Sequence, residues 1–224
     1  MPNHSIGSQD YGLALDTTTA NLSIAISNFA EDVRSQTWNL GRDLSSHLHM
    51  YLQEFLQPQA WSDLQFIAVA KGPGSFTSIR IGVVTARTLA QQLQIPVYGV
   101  SNLVAIAFAI SKDLPENQLI AVQIDTRREQ VFAGIYRFTG SGECTVYLQD
   151  STMDKQQWLE QLNQLDQPYE LHRSVEDSAK VIQSVLAIAK LQYQQQLEQQ
   201  TDKAKEMSEN WAQVLPFYGQ HPVS

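Results

Sequence analysis

Lys71-Gly72-Pro73-Gly74-Ser75-Phe76-Thr77-Ser78-Ile79-Arg80 joins a short apolar run to a long apolar helix, and its reading decides the fold. Before it, Phe66-Ile67-Ala68-Val69-Ala70 suits a buried strand. Gly72-Pro73-Gly74 then gives the backbone freedom for a sharp reversal, and Ser75 or Thr77 is placed to cap a helix. From Ser78 to Gln94 the helix carries Ile79, Ile81, Val83, Val84, Ala86, Leu89, Ala90 and Leu93. It is apolar over most of its circumference near its start, which predicts cover on more than one side. A helix start reached through glycines also exposes N–H groups, an anion site contributing roughly 0.3 to 1 kcal/mol per charge. Two readings compete, a phosphate cradle and a tight packing turn. The turn is not a P-loop, since no Gly-Lys-Ser/Thr follows it.

Outward from this turn, the chain reads as strands alternating with helices. Tyr11 to Asp16 and Leu22 to Ser27 form a predicted hairpin around Thr17-Thr18-Thr19, and Val33 to Leu40 adds a strand. Leu44, Leu48, Tyr51, Leu52 and Phe55 recur at helical steps, predicting an amphipathic helix ended by Pro58, with His47 and Met50 off the main stripe. Beyond the turn, Ile95 to Val100 is a strand and Leu103 to Ile110 a helix capped by Ser101 or Asn102. Leu119 to Asp125, a turn with Arg127 and Arg128, and Val131 to Tyr136 repeat the first hairpin, aspartate and threonine included. That repeat predicts two lobes on related plans and an α/β fold with mixed sheets. The expected division is a loose N-terminus (1–10), an N-terminal lobe (11–110) and a C-terminal lobe (111–224). The latter holds a Gln-rich helical or flexible arm near 192–206 and an aromatic segment from Trp211 to His221. Thr145 to Leu148, Asp154 to Leu165 and Ala179 to Leu191 read as a strand and two helices.

Composition narrows the function. In 224 residues, 43% are hydrophobic and 17% charged, which fits a folded globular chain. A formal charge of −8 excludes a broad cationic surface that would hold nucleic acid unaided. No stretch reaches the roughly 18 apolar residues of a membrane span, and Met1 to Asp10 lacks a basic segment followed by an apolar one, so a cytoplasmic location is expected. Cys144, the one cysteine, is read as a buried structural thiol. The histidines show no ligand spacing, so no metal site and no catalytic set is assigned. Asp16, Thr17 and Thr18, with Gly72, Gly74 and Ser75, are the candidate phosphate or nucleotide contacts, against the alternative of a hairpin turn capped by its own side chains.

Leu13-Ala-Leu-Asp-Thr-Thr-Thr19, Lys71-Gly-Pro-Gly-Ser-Phe-Thr77 with Ile79-Arg-Ile-Gly82, and Ile95-Pro-Val-Tyr-Gly-Val-Ser101 together resemble the TsaB (YeaZ) family. Asp125-Thr-Arg127, Val131 to Tyr136 and Leu215-Pro-Phe-Tyr218 add to the resemblance. That family is the dimerization subunit of the bacterial tRNA threonylcarbamoyladenosine synthase complex. The resemblance implies an actin/hexokinase/chaperone-ATPase-like (ASKHA) two-lobed fold and a noncatalytic scaffold role. The complex modifies the adenosine next to the anticodon in tRNAs reading codons that begin with A. The implied partners are a homologous metal-bearing catalytic subunit (TsaD type), a small ATPase (TsaE type), a second copy of this chain through the same helices, and tRNA only through the complex. ATP, magnesium and threonylcarbamoyl-adenylate are implied for the complex, and no cofactor for this chain alone. The metal-bearing relative has a His-x-x-x-His pair where this chain has Asn102 and Ile106, which speaks against independent catalysis and a glycoprotease-like label. The implied partner surface is the first helix and the helix after the glycine turn, with His47, Met50, Tyr51, Glu54, Ser78, Ile79, Val83, Ala86 and Arg87 as its candidates. Ser78 departs from the glycine common at the end of the Gly-Ser-Phe-Thr run. A rival reading is an autonomous ASKHA-type phosphotransferase or ATPase using Asp16 and Asp125.

Overall fold

The structure is a computed structural model that describes residues 10–126, 129–173, 177–198 and 211–218. Arg127, Arg128, the arm beyond 198 and residues 1–9 lie outside the described residues. The chain alternates β1 (Tyr11–Asp16), β2 (Asn21–Ser27), β3 (Val33–Asn39), α1 (Leu44–Leu56), β4 (Leu64–Ala70), α2 (Phe76–Leu93), β5 (Val97–Val100) and α3 (Asn102–Ser111). The second half follows with β6 (Leu119–Asp125), β7 (Gln130–Phe138), β8 (Cys144–Asp154), α4 (Lys155–Asn163), β9 (Tyr169–His172) and α5 (Ser178–Glu198).

Two mixed sheets share one plan. The first runs β3-β2-β1-β4-β5 and the second β8-β7-β6-β9. In each, an antiparallel three-strand meander is extended by a strand parallel to its first member, β4 beside β1 and β9 beside β6. The repeated hairpin is the most legible part of this duplication, since Asp16 ends β1 as Asp125 ends β6. A four-residue strand with a charged residue and a histidine carries almost no period-two signal, so β9 escapes sequence reading.

Alternation along the strands builds separate cores. Leu13, Leu15, Ile24, Ile26, Ile67 and Val69 face α1 and α2 on one side of the first sheet. Ala14, Ala25, Phe66, Ala68 and Ala70 face the other side, where small residues let helices approach and where the core continues through α3 and α5 to Ile120, Val122 and Tyr136 of the second sheet. The outer face of the second sheet is closed by α4 through Trp158 and Leu162, and the buried Trp158 indole donates to Gln123 Oε1 at 2.9 Å. α3 and α5 pack on each other between the sheets, α3 against β6 and β7 and α5 against strands of the first sheet. Helices thus cross the sequence division at 110/111, each lying on the sheet of the other half. Residues 211–218 return to the first sheet, where Val214 joins the core beneath α1 and α2.

Candidate functional site

The glycine turn is a filled joint. Gly72 has φ of +106°, a conformation L side chains rarely adopt. A Cβ there would lie 2.2 Å from the Phe217 carbonyl oxygen, and one at Gly74 would lie 2.3 Å from the Thr18 carbonyl oxygen. The two close approaches that require glycine are therefore made to carbonyl oxygens, which repel a phosphate. The Ser75 N–H donates to the Thr18 carbonyl at 2.7 Å. Thr17 Oγ1 donates to the Ser78 carbonyl at 2.7 Å, and Gly82 lets that hydroxyl approach, since a Cβ at 82 would lie 2.2 Å from it. The hairpin turn after β1 is thus pressed against the first turn of α2. Asp16 accepts from the Thr18 N–H at 2.7 Å. Burial raises its carboxyl above the usual carboxylate value, and the Thr18 hydrogen bonds offset part of that shift. Asp16, Thr17, Thr18, Gly72, Gly74 and Ser75 do meet in space, as a packing joint that orients α2 and not as an open cradle.

A strap of the C-terminal residues covers the joint. The Phe217 N–H donates to the Lys71 carbonyl at 2.7 Å, the Trp211 indole donates to the Ile95 carbonyl at 2.9 Å, and Val214 fills the space that the bare Gly99 leaves. The Arg80 guanidinium lies 4.0 Å from the Phe76 ring centroid and 5.6 Å from that of Tyr218, and its Nε donates to the Tyr218 hydroxyl at 2.7 Å. The start of α2 is therefore held from both sides, by the hairpin turn and by the strap.

The helix faces divide differently from the sequence expectation. Ile79, Val83 and Ala86 are fully buried in this chain's own core, so they are not available to a partner. The correction is one of phase. A helix with apolar residues at adjacent positions presents one to the sheet and the next to solvent, and here Val83 faces inward while Val84 is 58% exposed. Outward, Phe76, Arg80, Val84, Arg87 and Gln91 follow one another at helical steps, exposed except for the half-buried Arg87. On α1, the inward stripe Leu44, Leu48, Leu52 and Leu56 leaves His47, Met50 and Glu54 exposed and Tyr51 half-buried against Trp38, ring centroids 4.9 Å apart. The half-buried Ser78 shares a 3.0 Å hydroxyl contact with Ser75. Reading outward phase from the buried stripe would have found Phe76, Arg80 and Val84.

Between the lobes, Ser101 caps α3, accepting from the Val104 N–H at 3.2 Å while donating to Asp150 of β8. Tyr136 donates to the other oxygen of Asp150 at 2.5 Å, and burial together with that carboxylate holds its phenol far above the ordinary value. Asp150 carried no sequence signal, since a lone aspartate in a polar strand reads as surface, and Tyr136 was read only as the end of a hairpin strand. Asn102 and Ile106 are both buried on α3. Ile106 offers no donor atom, so the pair does not fit a metal ion. Asp125 is exposed and accepts from Gln123 Nε2 at 2.9 Å. Cys144, expected inside, is exposed at the start of the edge strand β8.

Two mixed sheets of repeated plan, with paired helices between them, define a two-lobed α/β protein. The model of the family described as "TsaD: tRNA N6-adenosine threonylcarbamoyltransferase" matches residues 41–217. The "tRNA threonylcarbamoyladenosine biosynthesis protein TsaB" of Bacillus subtilis (strain 168) is 35% identical over 161 residues, 70% of this chain and 67% of that protein. The protein of the same name in Escherichia coli (strain K12) is 30% identical over 132 residues, 58% of this chain and 56% of that one. YeaZ from Pseudomonas aeruginosa superposes with a TM-score of 0.70 at 23% identity, over 93% of this chain and 100% of that chain. The chain belongs to the TsaB (YeaZ) family, whose curated members are named for tRNA threonylcarbamoyladenosine biosynthesis. Among the described residues, no helix is long and apolar enough to cross a membrane.

Proposed function

We propose that this chain is a noncatalytic scaffold subunit that activates a homologous, metal-bearing subunit in adding threonylcarbamoyl to N6 of the adenosine next to the anticodon. The observation that carries the reading is the outward face of α1 and α2. Both helices lie on one side of the first sheet with their inner stripes buried, yet Met50, Phe76 and Val84 remain 44%, 51% and 58% exposed. A helix pair that has satisfied its own core and still presents large apolar side chains is suited to a second helix pair. The replacement of a potential ligand by Ile106 supports a partner that supplies the metal chemistry.

A small ATPase of the complex and tRNA would reach this chain through that partner, in the cytoplasm. ATP, magnesium and threonylcarbamoyl-adenylate would serve the assembly. A second copy of this chain competes for the same helices. The test is co-purification with the metal-bearing homologue. Val84→Asp and Met50→Asp should each abolish it while circular dichroism and the melting curve stay as in the parent, and retained co-purification defeats the reading.

A further inference from the structure

A cavity of about 420 Å³ opens on the opposite side of the first sheet from α1 and α2, between the end of α3, α5 and the β7–β8 turn. Its interior is apolar, with Phe108, Ile120, Phe138 and Leu191 among its walls, and the Phe108 and Phe138 rings meet edge to face with centroids 5.3 Å apart. Gly142, at φ of +86°, brings the turn close without filling it. A Cβ there would stand 3.1 Å from Leu191 and 3.3 Å from Phe108.

Two opposite charges line the same cavity. The Lys112 ammonium stands 5.1 Å from the Phe108 ring centroid. The Glu116 carboxylate lies against Gly140, where a Cβ would fall 1.9 Å from Oε1. Among the described residues the ion pairs are Arg34–Asp32 and Lys155–Glu129, so Lys112 and Glu116 form an ion pair neither with each other nor with another described residue. Lys190 also lines the cavity, but its ammonium stands over the Phe29 ring, 4.7 Å from the centroid. A simple cation would meet Lys112 and Lys190 here, and a simple anion would meet Glu116. A zwitterion with an apolar body satisfies both charges and the floor, and a volume of this order suits a small ligand.

We propose that this cavity binds a free α-amino acid with an apolar side chain. Lys112 meets the carboxylate, Glu116 meets the ammonium, and the side chain rests against Phe108 and Phe138. The site is independent of the partner face on α1 and α2. Isothermal titration of the full chain with L-phenylalanine and L-leucine tests it. Saturable binding of at least one is expected, weakened about tenfold in L-phenylalaninamide and in N-acetyl-L-phenylalanine, each of which removes one charge. Lys112→Gln and Glu116→Gln, both at exposed positions, should weaken binding of the parent amino acid by a similar factor without moving the melting midpoint. Absence of binding by both amino acids overturns the proposal. So does binding of the amide and N-acetyl derivatives as tight as that of the parent amino acid, or unchanged affinity in both variants.

Discussion

Val83 and Val84 are neighbours on α2 with opposite surroundings, and substituting each separates the core of this chain from the partner face proposed for it. Val83 is fully buried beneath the helix. Val83→Ala removes two carbons from water-free packing, roughly 0.8 kcal/mol each, and leaves a cavity, for a loss of about 2 kcal/mol. In a domain of this size each kcal/mol moves the melting midpoint by roughly 2 to 4 °C, so a fall of about 4 to 8 °C is expected. Val84 is 58% exposed. Val84→Asp should leave the free chain within about 0.5 kcal/mol of the parent, a midpoint change of no more than about 2 °C. Docked against an apolar helix pair, the new carboxylate would be desolvated even with Arg80 and Arg87 one turn away on the same face, and affinity for the metal-bearing homologue should fall at least tenfold, about 1.4 kcal/mol. Differential scanning fluorimetry and surface plasmon resonance read the two effects separately. A Val83→Ala protein that melts with the parent would refute the assignment of the helix faces. A Val84→Asp protein that binds as tightly as the parent would refute the docking face.

Other consequences follow from the joint and its surroundings. Gly72→Ala places a side chain at φ of +106° and against the Phe217 carbonyl, so the strap must shift, with a loss of about 2 kcal/mol or more in denaturant unfolding; a neutral effect would mean the strap does not press on the turn. Asp16 has a folded-state value raised by burial, so its contribution to stability falls as pH rises from its ordinary value of 3.8 through the folded value, and the penalty persists at neutral pH. Asp16→Asn should therefore be more stable than the parent at neutral pH, with a gap that closes on acidification. Equal stability of the two at neutral pH, by urea titration, would contradict this. Tyr218→Phe removes the hydrogen bond from Arg80, and amide exchange should quicken in the first turns of α2 while the second sheet is unchanged; unchanged protection at α2 would show that the strap does not hold its start.

The parts of this fold written in local patterns were legible. The two hairpins, α1 and the strand-turn-helix around Gly72 each follow from periodicity and turn chemistry over a few residues. What the sequence left open depends on partners far along the chain. Whether Gly72 and Gly74 cradle an anion or admit a backbone is decided by Phe217 and Thr18, distant in sequence, so composition alone kept both readings alive. The inward phase of α2 was hidden because Val83 and Val84 are chemically identical and only packing against the sheet distinguishes them. Asp150 was invisible for a related reason, since its role exists only where β8 meets Ser101 and Tyr136 across the lobes. The family resemblance, by contrast, rested on short runs whose order is specific, and those runs are the residues that form the joint.

The direct test of the scaffold role is reconstitution of tRNA threonylcarbamoylation from purified components with the chain present, omitted, or carrying Val84→Asp. Full modification with the parent, little without it and little with the variant is the expected result. Modification by the metal-bearing subunit that proceeds equally well with this chain left out would contradict it.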